Sequence, residues 1–197
     1  MTAQAYALPL DAEGRRSTGW WGLAMLLVTE AALFLFLLFS YFYLGSMTPG
    51  GYPAGGDMPS LRLALPNTVL LLFSSGTFWW AERGIRAGQG DRLRLGLLAT
   101  LLLGAVFLTI QFREWASLPF SPRTDAYGSL WFTITGFHAA HVAAGLVMLA
   151  VMLLRALRGH FTARRHLAVT NTGWYWHFVD VVWLFVFTAL YLSPRFR

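Results

Sequence analysis

The sequence predicts an all-α integral membrane protein, a bundle of five transmembrane helices. Of its 197 residues, 56% are hydrophobic and 12% are charged, and the mean hydropathy is +0.53. This composition is typical of membrane proteins and excludes an ordinary soluble domain. Several apolar runs have about 20 residues, the length at which a helix crosses a ~30 Å hydrocarbon core. Cysteine is absent, which excludes a disulfide framework and a thiolate metal site.

A polar arm, residues 1–18, precedes one transmembrane domain, residues 19–193. The spans are expected at about residues 19–44, 63–81, 93–112, 127–154 and 173–192. Tryptophans at the start of the first span and tyrosines at its end suit the two headgroup regions.

The segments between the spans are expected to be irregular. Residues 45–60 are rich in glycine and proline and indicate an exposed loop, and residues 113–126 form an amphipathic connection with two prolines. Within the third span, Gly96, Thr100 and Gly104 recur every four residues. Small side chains at this spacing favour close contact with a neighbouring helix.

All 15 basic residues are arginine, and they are distributed unevenly between the two sides of the predicted bundle. The side of the N-terminus has Arg15, Arg16, Arg83, Arg86, Arg92, Arg94, Arg155, Arg158, Arg164 and Arg165. Because cytoplasmic loops are enriched in basic residues, this predicts a cytoplasmic N-terminus and a periplasmic C-terminus. The net charge of +6 then fits anionic lipid headgroups better than nucleic acid. Residues 1–18 lack the pattern of a signal peptide, so the first span is expected to direct insertion.

A carboxylic acid, Glu30, lies near the middle of the first span. A charge at this depth costs about 2.5–3.5 kcal/mol on insertion scales unless it is paired, hydrated or neutralised. His141 lies near the middle of the fourth span and is the partner predicted by depth. Two interpretations remain open: Glu30 exchanges protons along a water path, or it is protonated and serves as a hydrogen-bond donor.

The other buried polar residues are expected to satisfy one another between helices. His138 lies on the same helix face as His141, and His177 lies on the same face as Asp180. The second pair is interpreted as structural, as is Glu114. Haem or metal binding is disfavoured because His141 and His177 lie at different depths. An intramembrane hydrolase is disfavoured because no nucleophile–base pair is evident.

A basic turn, residues 155–166, precedes the fifth span. Membrane orientation accounts for most of its charge. A lipid phosphate site is the more specific interpretation, because arginine binds phosphate in a bidentate manner.

Four stretches resemble subunit III of the haem–copper terminal oxidases. They are WWGLAMLLVTEAALF at 20–34, FREWASLPFS at 112–121, YGSLWFTITGFHAAHVAAG at 127–145 and YWHFVDVVWLFVFTALY at 175–191. The resemblance extends from about residue 20 to 192. It implies a non-catalytic subunit without haem or copper that stabilises subunit I, binds phospholipids, supports proton uptake and limits inactivation during turnover. The complex would reduce oxygen to water with electrons from cytochrome c or a quinol, while pumping protons.

The resemblance also assigns residues. By motif position, Glu30 matches the buried, carbodiimide-reactive glutamate of the family, and His141 matches the histidine beside it. His138, on the same helix face as His141, is grouped with them as a buried polar residue of proton uptake. Arg165 and His166 match lipid-headgroup contacts. The longer family form has seven spans, and its first two have no counterpart in the predicted spans, as in short bacterial forms. The lipid cleft is therefore expected to face the membrane or a neighbouring subunit.

These observations predict a subunit III of a terminal oxidase in a bacterial inner membrane. The expected partners are subunit I, subunit II and membrane lipids, with a respiratory supercomplex as a further partner and no nucleic acid. The haem and copper are expected in the partner subunits, with no metal bound by this chain. The alternatives are an accessory subunit of a nitric oxide reductase and a stand-alone haem-binding membrane protein.

Overall fold

The structure, a computed structural model, describes residues 18–53 and 58–196, and the regular elements in these residues are all helices. The helices are α1 (Thr18–Met47), α2 (Leu61–Arg86), α3 (Gly90–Ser117), α4 (Ala126–Leu157) and α5 (Leu167–Phe187). A π-helical turn, Thr188–Leu192, and a 3₁₀ turn, Ser193–Phe196, continue α5. The predicted five-helix class is confirmed. The predicted polar arm lies outside the described residues, apart from Thr18, which begins α1.

Within the described residues, four helices are long and apolar enough to cross a membrane: α1, α3, α4, and α5 with its continuation. Helix α2 has 26 residues and a length of about 39 Å, which is also sufficient. It is less apolar because its inner face has small polar side chains, among them Asn67, Thr68 and Ser74, which are buried in the bundle.

Helices α2, α3, α4 and α5 form a ring in which each packs against the next and α5 returns to α2. Helix α1 packs against α4 and α5 from the outside. Of its thirty residues, Phe34, Tyr41 and Gly45 are buried. The remaining surface of α1 is largely apolar and exposed, as expected of a helix that faces lipid.

Glycines permit the closest helix contacts. A Cβ atom at position 96 would lie 2.5 Å from the Cβ of Ala81, so α3 approaches α2 where only hydrogen fits. The indole of Trp176 lies between Gly104 of α3 and Gly145 of α4, and a Cβ at these positions would come within 2.7 Å and 2.8 Å of the ring. The close helix contact predicted from the spacing in the third span is therefore confirmed at Gly96 and Gly104.

Buried tryptophans set the antiparallel register of α2 and α5. The Nε1 of Trp176 donates a hydrogen bond to Ser74 Oγ at 3.1 Å, and the Nε1 of Trp183 donates one to Thr68 Oγ1 at 2.9 Å. Both indoles are fully buried and so need an acceptor. The polar residues of α2 supply it.

All four segments between the described helices are shorter than the predicted spans imply. Residues 113–117 continue α3 instead of forming part of the connection, because Glu114 finds hydrogen-bond partners inside the bundle. Helix α5 begins at Leu167, six residues before the predicted span. The loop after α1 is held against the bundle by Tyr52, whose ring packs against Tyr41 and Tyr127.

Candidate functional site: the Glu30–His141 groove

The structure brings Glu30 and His141 together, as matched depth predicts. His141 Nε2 lies 2.9 Å from Glu30 Oε2. Glu30 is about 18 Å along α1 and His141 about 22 Å along α4, so each is near the middle of its helix. The two side chains are 25% and 15% exposed, which leaves one side of the pair open.

Hydrogen bonding fixes the number of protons that this pair holds. His141 Nδ1 lies 2.7 Å from the carbonyl oxygen of Phe137. Because a carbonyl only accepts, Nδ1 carries a hydrogen, and Nε2 of a neutral ring has a lone pair. The contact with Glu30 then requires one proton between Oε2 and Nε2. Whether that proton is on oxygen or nitrogen, the pair has no net charge, which lowers the cost of its position in the membrane.

An apolar groove of about 270 Å³ lies beside the pair, between α1, α4 and α5. It is lined by Leu23, Leu26, Glu30, His141, Ala144, Met148 and Tyr175. The hydroxyl of Tyr175 donates a hydrogen bond to the carbonyl oxygen of His141 at 3.1 Å, which joins α5 to the site. A second cavity of about 210 Å³ shares Leu23 and extends to Trp20 and Trp174. The site therefore combines a proton-holding pair with an open, mostly apolar groove.

His138 is close to His141 but outside the groove. Its ring lies among those of Phe34, Phe107 and Trp183, with centroid distances of 6.4, 6.0 and 4.7 Å. Phe34 also contacts the ring of His141, so the two histidines do share a helix face. The ring of His138 is fully buried, and neither nitrogen has a hydrogen-bond partner among the described residues.

His177 and Asp180 meet at Ser75 of α2, a residue that the sequence reasoning missed. Ser75 donates its hydroxyl hydrogen to a carboxylate oxygen of Asp180. That hydroxyl lies 2.7 Å from His177 Nδ1, which then acts as the donor. Two consecutive serines, Ser74 and Ser75, in the middle of a predicted apolar span were the sequence feature that could have indicated a polar contact there. The cluster joins α2 to α5.

Glu114 is buried in the last turns of α3 and receives two hydrogen bonds at the same carboxylate oxygen. Gln111 Nε2 donates at 3.1 Å and the Tyr191 hydroxyl donates at 3.0 Å. Sequence reasoning missed both partners, although Gln111 is one helical turn from Glu114. The cluster ties α3 to the π-helical turn.

Arg165 and His166 lie in the turn before α5. Arg165 is exposed, and its amide and carbonyl groups bond to Thr162. His166 is the N-cap residue of α5. Neither residue lines the groove. In residues 18–53 and 58–196, no group of three or more histidine, cysteine or acidic side chains is placed to hold a metal ion.

These features define a multi-pass helical membrane protein whose buried polar groups pair with one another between helices. A family model, described as cytochrome c oxidase subunit III, matches residues 15–194. The chain is 36% identical over 197 residues to "Cytochrome c oxidase subunit 3" of Rattus norvegicus, covering 96% of this chain and 74% of the relative. It is 39% identical over 175 residues to the protein of the same name from Cyprinus carpio, covering 85% and 67%.

The chain belongs to the cytochrome c oxidase subunit III family. It is therefore a multi-pass subunit of a terminal respiratory oxidase, in a family that carries no redox centre of its own. The other oxidase subunits are its partners. The family match supports the oxidase subunit. It does not support the two alternatives, an accessory subunit of a nitric oxide reductase and a stand-alone haem-binding protein.

Proposed function

We propose that this chain supports proton uptake and sustained turnover of the oxidase through the Glu30–His141 pair and its groove. The observation that carries the proposal is the hydrogen bond between Glu30 Oε2 and His141 Nε2, which needs one proton and lies open to an apolar groove at mid-membrane.

The pair acts as a proton store. Transfer of the proton from Oε2 to Nε2 converts two neutral groups into an ion pair but changes no net charge, so it costs less in the membrane than an isolated charge. Loss of the proton leaves a carboxylate facing a lone pair, an arrangement that is repulsive. In this proposal, arrival of a proton along the exposed side of the pair accompanies release of the stored one.

The groove is proposed to hold a phospholipid acyl chain, with Arg165 and His166 near the headgroup. Its lining is mostly aliphatic and aromatic, which suits an acyl chain. Trp174, at the edge of the second cavity, is about 10 Å along α5 from the helix start next to His166. This distance is shorter than an acyl chain, so one lipid can reach both regions.

We further propose that subunit I is the main contact, with subunit II in the same complex, in a bacterial inner membrane. The arginine distribution supports a cytoplasmic N-terminus. His138 is proposed to support the proton-holding pair through their shared contact with Phe34.

Replacement of Glu30 by glutamine tests the proposed function. The new side-chain amide can still donate a hydrogen bond to Nε2 but cannot release a proton. The purified oxidase containing Glu30→Gln should begin at near-normal activity and then lose it progressively during sustained turnover, with slower proton uptake.

The matched control is Glu82→Gln, the same chemical change at an acid bonded to Arg86 and Thr170 outside the groove. It should leave the turnover lifetime unchanged. If Glu30→Gln also leaves lifetime and proton uptake unchanged, Glu30 has only a hydrogen-bonding role and the proposal is wrong.

A further inference from the structure

The turn between α2 and α3 has an excess of positive charge that is confined to two side chains. Between residues 82 and 94 there are four arginines and two acids. Arg86 bonds to Glu82 at 2.7 Å and Arg94 bonds to Asp91 at 2.9 Å. Arg83 and Arg92 have no acidic partner among the described residues, so they hold the surplus.

The same two arginines lie over exposed tryptophans. The guanidinium carbon of Arg83 is 3.9 Å from the ring centroid of Trp79, and that of Arg92 is 4.9 Å from the centroid of Trp80. The indoles are 49% and 39% exposed. Stacking uses the face of a guanidinium and leaves its N–H groups, which lie in the plane, free to bind an anion.

Packing against a glycine also fixes Arg92. A Cβ at Gly84 would lie 2.7 Å from the Cβ and Cγ of Arg92, so the arginine stem fills the space over this glycine. The Arg92 Nε is buried without a hydrogen-bond partner among the described residues, and its Nη1 has a long contact of 3.4 Å with Gln89. The guanidinium is therefore held in place, and apart from this long contact its Nη groups have no hydrogen-bond partner among the described residues.

We propose that Arg83 and Arg92, which lie over Trp79 and Trp80, bind phosphate groups of anionic phospholipids at this turn. Paired tryptophans at a helix end are typical of the headgroup region of a membrane. Exposed apolar side chains lie deeper on both helices, such as Phe73 on α2 and Leu98 on α3, where acyl chains would run. This site is separate from the Glu30 groove between α1, α4 and α5, and the inference does not depend on the proposed function.

The test uses the intact oxidase that contains the full chain, titrated with phosphatidylglycerol and with phosphatidylcholine, with bound lipids counted by native mass spectrometry. The double variant Arg83→Gln with Arg92→Gln should weaken phosphatidylglycerol binding about thirtyfold, and Arg83→Gln alone about fivefold. Binding of phosphatidylcholine should change little. Arg83→Gln affects an exposed side chain, so it remains informative if the double variant is less stable.

The matched control is Arg86→Gln with Arg94→Gln, which removes the same charge from the same turn but affects arginines already bonded to acids. We expect it to weaken binding by no more than about threefold, because exposed charges interact weakly through water. If the two double variants lose phosphatidylglycerol binding equally, the lipid is held only by general charge attraction. If Arg83→Gln with Arg92→Gln loses no binding, there is no phosphate site at this turn. Loss of a protein subunit in place of lipid would assign the surface to a protein partner. Each of these three results overturns the proposal.

Discussion

Glu30 is accommodated at mid-membrane because its partner is held in one protonation pattern. The carbonyl of Phe137 fixes the hydrogen of His141 on Nδ1, and the carboxyl of Glu30 meets the other nitrogen. The Tyr175 hydroxyl bonds to the backbone of the same histidine. A free mid-helix glutamate would carry the full cost of its charge, whereas this pair is neutral with either position of the proton.

The coupling between Glu30 and His141 can be measured with a double-mutant cycle of Glu30→Ala and His141→Ala. Hydrogen bonds between transmembrane helices contribute about 0.6 kcal/mol on average and up to about 1.7 kcal/mol. We expect a coupling near the upper value, because each single variant leaves a polar group without its partner in the membrane. The measurement is the free energy of unfolding in mixed micelles. Additive effects of the two substitutions would contradict the pairing.

At the scale of helices, glycines and tryptophans determine how closely α3, α4 and α5 pack. Trp176 of α5 fits between Gly104 and Gly145, and its N–H bonds to Ser74 of α2. One side chain thus contacts every other helix of the ring. Its position leaves no room for additional atoms on either side.

The substitution Gly145→Ala is expected to destabilise the bundle. The new Cβ would lie 2.8 Å from the Trp176 ring, and overpacking of this kind costs about 1–3 kcal/mol. Gly136→Ala is the control in the same helix, where a Cβ meets nothing within 4 Å. It should be neutral or stabilise by up to about 1 kcal/mol, since alanine favours helix. Thermal unfolding of both variants checks the expectation, and equal melting temperatures would contradict it.

For the whole molecule, the ring of four helices and the peripheral α1 explain where the groove lies. Because α1 packs on α4 and α5 without completing a second layer, the space beside Glu30 stays open on one side. If α1 were enclosed by protein on all sides, Glu30 would have no access to lipid or water.

The orientation of the whole molecule can be tested with single cysteines, because the natural sequence has none. We predict that Arg123→Cys, in the turn between α3 and α4, reacts with a membrane-impermeant maleimide added from the periplasmic side. His160→Cys, in the turn between α4 and α5, should react only after the membrane is opened. Both positions are exposed, so accessibility within the protein does not limit the reaction. The reverse pattern would place the N-terminus in the periplasm.

Much of the candidate site was predictable from sequence because depth along a helix is a local property. Counting residues from the ends of two apolar stretches is enough to match Glu30 with His141. The role of Ser75 was not predictable in this way, because it depends on how α2 is rotated and how far it slides against α5. Tyr191 was missed as the partner of Glu114 for the same reason, since 77 residues separate them.

The sequence by itself determined the helical membrane class, the family and the depth of the buried acid, because apolar length and local motifs are written along the chain. The tertiary structure decided which polar groups meet, that His138 lies outside the groove, and that two arginines of one turn stack on tryptophans while the other two are neutralised. These features depend on rotation and register between helices, which arise from packing around residues such as Trp176 and are not encoded in any single stretch.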